Sequence, residues 1–147
     1  MKLKEQLQQD MKEAMRARDK ARLGTIRLAN ADIQRRELDD QTELDDAGVL
    51  AVLQKMIKQR VDAAEQFKEA GREDLENTER AEIEVLKAYL PEALSDAELD
   101  ALVDAAIAET GAESMRDMGK VMGILKDKAQ GRADMGAVSA RVRARLG

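Results

Sequence analysis

Residues 90–111 read LPEALSDAELDALVDAAIAETG, and this stretch marks where one helical part of the chain ends and another begins. Pro91 has no backbone N–H with which to continue a helix, so it predicts the end of the helix before it. Ser95, followed three residues later by Glu98, has the pattern of a capping box, which predicts a new helix start. Apolar residues then recur at helical spacing until Gly111, a typical helix C-terminus. We therefore predict one part over residues 1–91 and a second over residues 92–147.

On both sides of this stretch the apolar residues follow only helical periods. They predict seven helices, over about residues 3–18, 20–37, 46–71, 74–90, 95–111, 114–131 and 134–146. The acidic segment 38–46 has no period and predicts a loop, with Asp45 or Asp46 capping the next helix. One Phe, one Tyr and no Trp leave an aliphatic core, which suits helices better than sheets. The predicted fold is all-α, a four-helix N-terminal part followed by a C-terminal three-helix bundle.

The composition removes most catalytic chemistry. The chain has no cysteine and no histidine, which excludes disulfides, thiol nucleophiles and the commonest general bases and metal ligands. The carboxylates Glu79, Glu82, Asp100 and Asp104 fit the solvated faces of amphipathic helices better than a buried acid–base pair. No glycine-rich phosphate loop is present. The sequence thus predicts no catalytic residue, no metal site and no cofactor, and favours a binding module over an enzyme.

The beginning of the chain, MKLKEQLQQDMKEAM, lacks the apolar core of a signal peptide. No window of the sequence is apolar enough to predict a membrane span. From these two observations we expect no membrane association and a cytoplasmic location. As a separate expectation, we predict a monomer.

Charge is distributed unevenly along the chain. Residues 61–113 carry four basic and sixteen acidic side chains, whereas residues 114–147 carry eight basic and three acidic ones. Residues 1–36 are also basic, with ten basic and five acidic side chains. Two basic ends favour contact with a nucleic acid, but solvated helix faces that neutralise one another explain the same pattern equally well.

Gly119 and Gly123 interrupt the apolar rhythm of the predicted sixth helix, four residues apart and on one face. Each glycine costs a helix interior roughly 1 kcal/mol relative to alanine. The pair permits either close packing of a neighbouring helix or a bare patch, beside Lys120 and Lys126, where another backbone can approach. We expect a split, with one glycine buried against a neighbouring helix and the other open beside Lys120.

The stretch QGRADMG, residues 130–136, predicts a tight joint between the last two helices. Gly131 can supply a left-handed conformation, and Asp134 can cap the helix that follows. Arg132 stands at the corner, near the free N–H groups of that helix, where a phosphate can bind. An ordinary joint without a ligand is the simpler interpretation of the same residues.

Five segments, in this order, resemble the GatB/YqeY family of small bacterial proteins: TIRLANADI, VLQKMIKQRVDAAEQFKEAGREDL, EIEVLKAYLPEALS, DMGKVMG and GRADMGAVS. The resemblance implies a helical N-terminal domain followed by a three-helix domain. It also implies that the C-terminal part is similar to the tail domain of the B subunit of the glutamine-dependent tRNA amidotransferase, a domain that lies against tRNA. The large catalytic body of that subunit has no counterpart here, so the resemblance implies tRNA contact without transamidation.

The similarity to the tail domain extends to individual positions. Gly119 matches the first residue of the tail's G-x-V-M run, and Gly131 matches its turn glycine. Lys120 and Arg132 fall at polar or basic positions of the same motif. Met135 departs from the pattern, because the tail often has proline there.

Two functions from different classes follow. The first is an accessory module that binds tRNA or another structured RNA by shape and phosphate contact, because aromatic side chains for base stacking are nearly absent. Its candidate residues are Gly119, Lys120, Gly123, Lys126, Lys128, Arg132, Arg141, Arg143 and Arg145. The second is an adaptor that docks a protein partner on the long third helix, with the candidate residues Lys55, Lys58, Gln59 and Arg60. A carbon–nitrogen ligase with glutamine as amido donor is a third alternative, implied by the family name alone.

Overall fold

The computed structural model of the chain describes residues 2–147, and every regular element in that range is helical. The α-helices are α1 (Leu3–Arg16), α2 (Lys20–Asp40), α3 (Asp46–Glu69), α4 (Glu73–Lys87), α5 (Asp96–Thr110), α6 (Met118–Ala129) and α7 (Met135–Leu146). One turn of 3-10 helix, Met115–Asp117, leads into α6. The predicted all-α fold class is confirmed.

The helices form two compact units, divided between Leu90 and Pro91. The N-terminal unit holds α1–α4 and the C-terminal unit holds α5–α7. Each unit buries its own aliphatic core. The N-terminal core contains Leu7, Ile26, Ala29, Ile33, Val49, Val52, Leu53, Met56 and Leu86. The C-terminal core contains Leu99, Val103, Ala106, Val121, Leu125, Ala129, Val138, Val142 and Leu146.

Local capping groups set several helix ends where the sequence predicts them. The Asp45 carboxylate accepts a hydrogen bond from the Gly48 N–H at 2.9 Å and starts α3. At the start of α5 the Glu98 N–H donates to the Ser95 hydroxyl, and the Ser95 N–H donates to the Glu98 carboxylate, which completes the capping box. Gly111 follows α5 with a φ of 66°, in the left-handed region that favours glycine.

α2 extends beyond its predicted end, so the predicted loop over residues 38–46 is wrong in part. The helix continues to Asp40, and only residues 41–45 connect it to α3. The Arg36 guanidinium pairs with the Asp40 carboxylate at 2.9 Å, an i,i+4 pair that supports the last turn. Gln41 then takes a left-handed φ of 53°, and its N–H donates to the Glu37 carbonyl. Gln41 therefore pairs a carbonyl of the last helical turn, a role that a glycine usually has at a helix C-terminus.

The helices of the N-terminal unit pack to different extents. α3 packs most extensively against α4, and α1 packs against α2. The Arg60 guanidinium of α3 donates to the Glu82 carboxylate of α4 at 2.9 Å, which joins these helices at the edge of their interface. α2 packs less extensively against α3, and a groove lies open between them.

A buried polar cluster holds α1 to the segment after α4. The Tyr89 hydroxyl donates to the Asp10 carboxylate at 2.5 Å, and the Gln6 side-chain amide donates to the other carboxylate oxygen at 2.9 Å. The Arg22 guanidinium of α2 lies 3.9 Å from Asp10. Burial and the neighbouring Asp10 carboxylate raise the pKa of Tyr89 above its ordinary value. Tyr89 therefore stays protonated and serves Asp10 as a hydrogen-bond donor.

Tyr89→Phe removes this donor and leaves Asp10 with fewer partners, so we expect a loss of about 1–2 kcal/mol in unfolding free energy at pH 7. The raised pKa of Tyr89 gives stability that is present below the ordinary tyrosine pKa of about 10 and is lost as the pH rises above it. Urea unfolding across this range should show the difference between wild type and variant shrinking at alkaline pH. Equal stability of the two proteins at pH 7 would contradict the assignment.

We propose that the two units are domains that fold separately, because each has its own buried core. A fragment of residues 92–147 should then be helical by circular dichroism, although with marginal stability at this size. A fragment of residues 1–91 should behave in the same way. Random-coil spectra at low temperature would show that the proposed boundary is wrong.

Candidate functional site

The buried and bare sides of α6 are opposite one another. Val121, Leu125 and Ala129 are fully buried in the C-terminal core. At about 100° per residue, Gly119 and Gly123 lie roughly 160° around the helix from Val121. Both glycines are exposed. The glycines therefore occupy the side of α6 that faces away from its own core.

Neither glycine is needed for packing. A Cβ atom built on Gly119 or on Gly123 meets nothing within 4 Å beyond the helix's own backbone. The predicted split, with one glycine buried against a neighbouring helix, is therefore wrong. The physical reason is the helical period, which carries both residues to the solvent side once Val121 and Leu125 face the core.

The exposed lysines of α6 lie on different sides of the helix. Lys120, Lys126 and Lys128 are all exposed, and within residues 2–147 none of them makes an ion pair. Lys126 projects within about 60° of both glycines and Lys120 about 60° from Gly123, whereas Lys128 projects about 140° from Gly123. We call Gly119, Gly123, Lys120 and Lys126 the glycine face. Lys128, a candidate from the sequence, lies outside it.

Arg141 and Arg145 of α7 hold α5 rather than standing free. The Arg141 guanidinium contacts Asp100 at 2.5 Å and Asp96 at 2.8 Å. Arg145 contacts Asp104 at 2.5 Å and Asp100 at 3.4 Å. The hydrogen bond from Arg141 lowers the pKa of Asp100, and the bond to Asp104 raises the pKa of Arg145. These two predicted RNA contacts therefore already have carboxylate partners.

Arg143 lies between these two arginines in sequence but forms no ion pair with α5. It is exposed, and its guanidinium contacts the Ser139 hydroxyl at 3.1 Å. No carboxylate pairs with it in the described part of the chain. Arg143 is thus the one arginine of α7 whose charge stays uncompensated within residues 2–147.

Arg132 fastens the joint between α6 and α7 to the segment before α5. Its guanidinium Nε donates to the Glu92 carbonyl at 2.9 Å, and its own carbonyl accepts from the Leu94 N–H at 2.8 Å. Gly131 has the predicted left-handed conformation, with a φ of 81°. The Asp134 carboxylate accepts from the Gly136 N–H, which places negative charge at the start of α7. The corner is therefore an internal joint, and the predicted phosphate position there is disfavoured.

The predicted partner-binding residues of α3 separate into two sets. Lys55, Gln59 and Arg60 line the groove between α2 and α3, and Lys58 is exposed outside it. Arg60 is mostly buried and paired with Glu82, so it belongs to the α3–α4 interface.

Residues 2–147 contain neither a metal-binding cluster nor a membrane-spanning helix. No group of three or more carboxylates is arranged to hold a metal ion. None of the helices combines the length and the apolar character that crossing a membrane requires.

The family model described as Yqey-like protein matches residues 4–146. A match over nearly the whole chain shows that the chain belongs to this family, which confirms the part of the predicted resemblance that concerns YqeY-like proteins.

Three curated fungal proteins illustrate how the chain relates to others. All three are named Altered inheritance of mitochondria protein 41, mitochondrial. The Pyrenophora tritici-repentis protein is 36% identical over 129 residues, covering 86% of this chain and 71% of its own length. The Lachancea thermotolerans protein is 39% identical, covering 70% of this chain and 57% of its own length. The Kluyveromyces lactis protein is 41% identical, covering 66% of this chain and 54% of its own length.

The predicted cytoplasmic location is wrong on this comparison, because these relatives are named as mitochondrial proteins. The prediction rested on the lack of a secretory leader and of a membrane span. Neither property distinguishes the cytoplasm from the interior of a mitochondrion.

Arg141→Ala should lower the melting temperature of the chain at pH 7, because Asp96 and Asp100 lose their shared partner. The lowered pKa of Asp100 gives stability that is present above the ordinary aspartate pKa of about 4 and is lost as the pH falls through the folded-state pKa. The difference between wild type and variant should therefore shrink below about pH 4. An unchanged melting temperature, combined with weaker RNA binding, would show that Arg141 is a phosphate contact after all.

Proposed function

We propose that this YqeY-like protein is an accessory module that binds the sugar–phosphate backbone of a structured RNA, such as tRNA, through the glycine face of α6, and that it catalyses no reaction itself. One observation carries the proposal. Gly119 and Gly123 lie four residues apart on one side of α6, exposed and unused by packing, beside the exposed Lys120 and Lys126.

The energetic cost of the two glycines supports a role for them in binding, because they destabilise the helix that contains them. Two glycines in a helix cost up to about 2 kcal/mol relative to alanine, a sizeable fraction of the stability of a small helical unit. No packing contact offsets this cost at Gly119 or Gly123. A helix surface without side chains lets another backbone approach closely, which a row of alanines or longer residues prevents.

The charges beside the glycines suit a phosphate backbone. Lys120 and Lys126 flank the glycines, and neither is neutralised within residues 2–147. Each can form a point contact with a phosphate. Asp127 is also exposed and projects about 40° from Gly123, where it repels phosphates. Removing the charge of Asp127 should therefore strengthen RNA binding.

The shortage of aromatic residues favours structured RNA over single strands. The chain has one Phe, one Tyr and no Trp, and the hydroxyl of Tyr89 is bonded to Asp10 in the N-terminal unit. Stacking platforms for unpaired bases are therefore lacking, so recognition rests on shape and phosphates. The resemblance of the C-terminal part to a tail domain that lies against tRNA supports the same choice of ligand.

Alanine substitutions at the glycines separate binding from folding. Gly119→Ala and Gly123→Ala should each raise the unfolding free energy by up to about 1 kcal/mol while weakening the binding of unfractionated tRNA. Gly24→Ala is the matched control, because Gly24 is also exposed within a helix and also has nothing within 4 Å of an added Cβ. It should gain stability and leave tRNA affinity unchanged. Thermal melts and fluorescence anisotropy with labelled tRNA measure the two effects.

The lysines give a second, electrostatic readout of the same site. Lys120→Ala and Lys126→Ala should each lower the slope of log affinity against log salt by roughly 0.7–0.9, the release of about one counterion. Lys128→Ala, on another side of α6, should change the slope less, and Asp127→Asn should strengthen binding. The proposal fails if the three lysine variants behave alike, or if heparin binds as tightly as tRNA with the same dependence on the glycines.

A further inference from the structure

The groove between α2 and α3 lies in the N-terminal unit, and the proposed RNA site makes no use of it. One stripe of each helix lines the groove, and the lining residues recur at three- and four-residue spacing. They are Leu28, Asp32, Arg35, Arg36 and Asp39 of α2, and Val52, Lys55, Met56, Gln59 and Arg60 of α3. The groove has a volume of about 380 Å³. Two facing stripes of this kind form a trough that runs along the helices.

One end of the groove is apolar. Leu28 is 48% exposed, which is high for a leucine in the middle of a packed helix. Met56 and Val52 are buried and form the floor on the α3 side. The five-residue link 41–45 makes α2 and α3 antiparallel neighbours, which brings Leu28 towards the Met56 and Gln59 turn of α3. This end can take an aliphatic side chain of a partner.

Two accessible cations lie towards the other end of the groove. Four of the ten lining residues are basic and two are acidic, and two of the basic ones, Arg36 and Arg60, already have carboxylate partners outside the lining. Arg35 is 72% exposed and meets only Asp32, on its own helix, at 3.6 Å. Lys55, on the opposite wall, makes no ion pair in the described part of the chain. Arg35 and Lys55 are therefore two accessible cations that face the groove from either side.

We propose that this groove docks an acidic amphipathic helix of a partner protein. An aliphatic side chain of the partner packs on Leu28, and carboxylates about two turns away meet Arg35 and Lys55. Leu28 and Arg35 are seven residues apart, about 10 Å along α2, so the partner presents its apolar and acidic groups at the same separation. Such i, i+4, i+7 anchors are the usual way in which a helix binds a groove.

The half-exposed leucine distinguishes this occupant from a nucleic acid. A phosphate backbone gains from Arg35 and Lys55 but gains nothing from covering Leu28, Val52 and Met56. An acidic amphipathic helix uses both ends of the groove, because its carboxylates complement Arg35 and Lys55. The RNA site and the helix groove are therefore separate proposals, and either can fail without the other.

A designed peptide tests the groove directly. The probe is a fluorescent, alanine-based helix of about 18 residues, with leucines at i and i+4 and glutamates at i+7 and i+8. We expect it to bind the full chain, and we expect a second peptide with lysines in place of the glutamates not to bind. Binding of the acidic peptide should weaken with salt. Failure of the acidic peptide to bind up to about 1 mM would overturn the proposal.

Matched variants locate the binding. Leu28→Gln, and the pair Arg35→Glu with Lys55→Glu, should each weaken binding of the acidic peptide by roughly fivefold to tenfold. The controls are Leu38→Gln, an exposed leucine of α2 outside the groove, and Lys58→Glu, an exposed lysine of α3 outside it. Both controls should bind normally, and circular dichroism should show that all variants keep their helices. Equal effects of groove and control variants would overturn the proposal, as would displacement of the peptide by tRNA or self-association of the chain that depends on Leu28.

Discussion

Burial of aliphatic side chains on one face of each helix is the interaction on which both units depend. The largest fully buried residues include Leu7, Ile26, Leu53 and Leu86 in one unit and Leu125 in the other. The chain has no tryptophan, so its cores are built almost entirely from aliphatic side chains. Burial of each leucine or isoleucine contributes about 1.5–3 kcal/mol to the stability of its unit. The inner faces of the helices are therefore buried in the cores, and only their outer faces can bind a ligand or a partner.

The ion pairs explain how a chain with basic ends and an acidic middle holds together. Within the C-terminal unit, two arginines of α7 form ion pairs with three aspartates of α5. Within the N-terminal unit, Arg60 pairs with Glu82, and Arg80 pairs with Glu65 and Glu76. Many of the basic and acidic side chains are thus paired with one another within each unit. The cations without an ion-pair partner among residues 2–147, which include Lys120, Lys126 and Lys55, are for that reason the better guide to external ligands.

Features set by neighbouring residues could be predicted from the sequence. The caps at Asp45, Ser95 and Asp134 and the left-handed glycines at 111 and 131 follow from patterns a few residues long, and the structure confirms them. The end of α2 is one exception, because an i,i+4 ion pair and a left-handed glutamine replace the usual signals.

Features set by contacts between distant residues could not be predicted in the same way. Tyr89 and Asp10 are 79 positions apart, and no local pattern connects them. The arginines of α7 looked like free cations because their partners lie about forty residues earlier, on another helix. Whether the glycines of α6 pack or stay bare depends on which side of that helix meets its neighbours. For this reason we restrict the proposed RNA-binding residues from the nine sequence candidates to the four of the glycine face.

The central claim, that the bare side of α6 meets RNA, is tested most directly by NMR on the full chain. Glycine amides resonate in their own region of a nitrogen–proton spectrum, and the chain has only nine glycines. On titration with unfractionated tRNA, the signals of Gly119 and Gly123 should shift or broaden first, while those of Gly24 and Gly48 in the N-terminal unit should stay in place. Unmoved signals for Gly119 and Gly123 at saturating tRNA, or changes confined to the N-terminal unit, would contradict it.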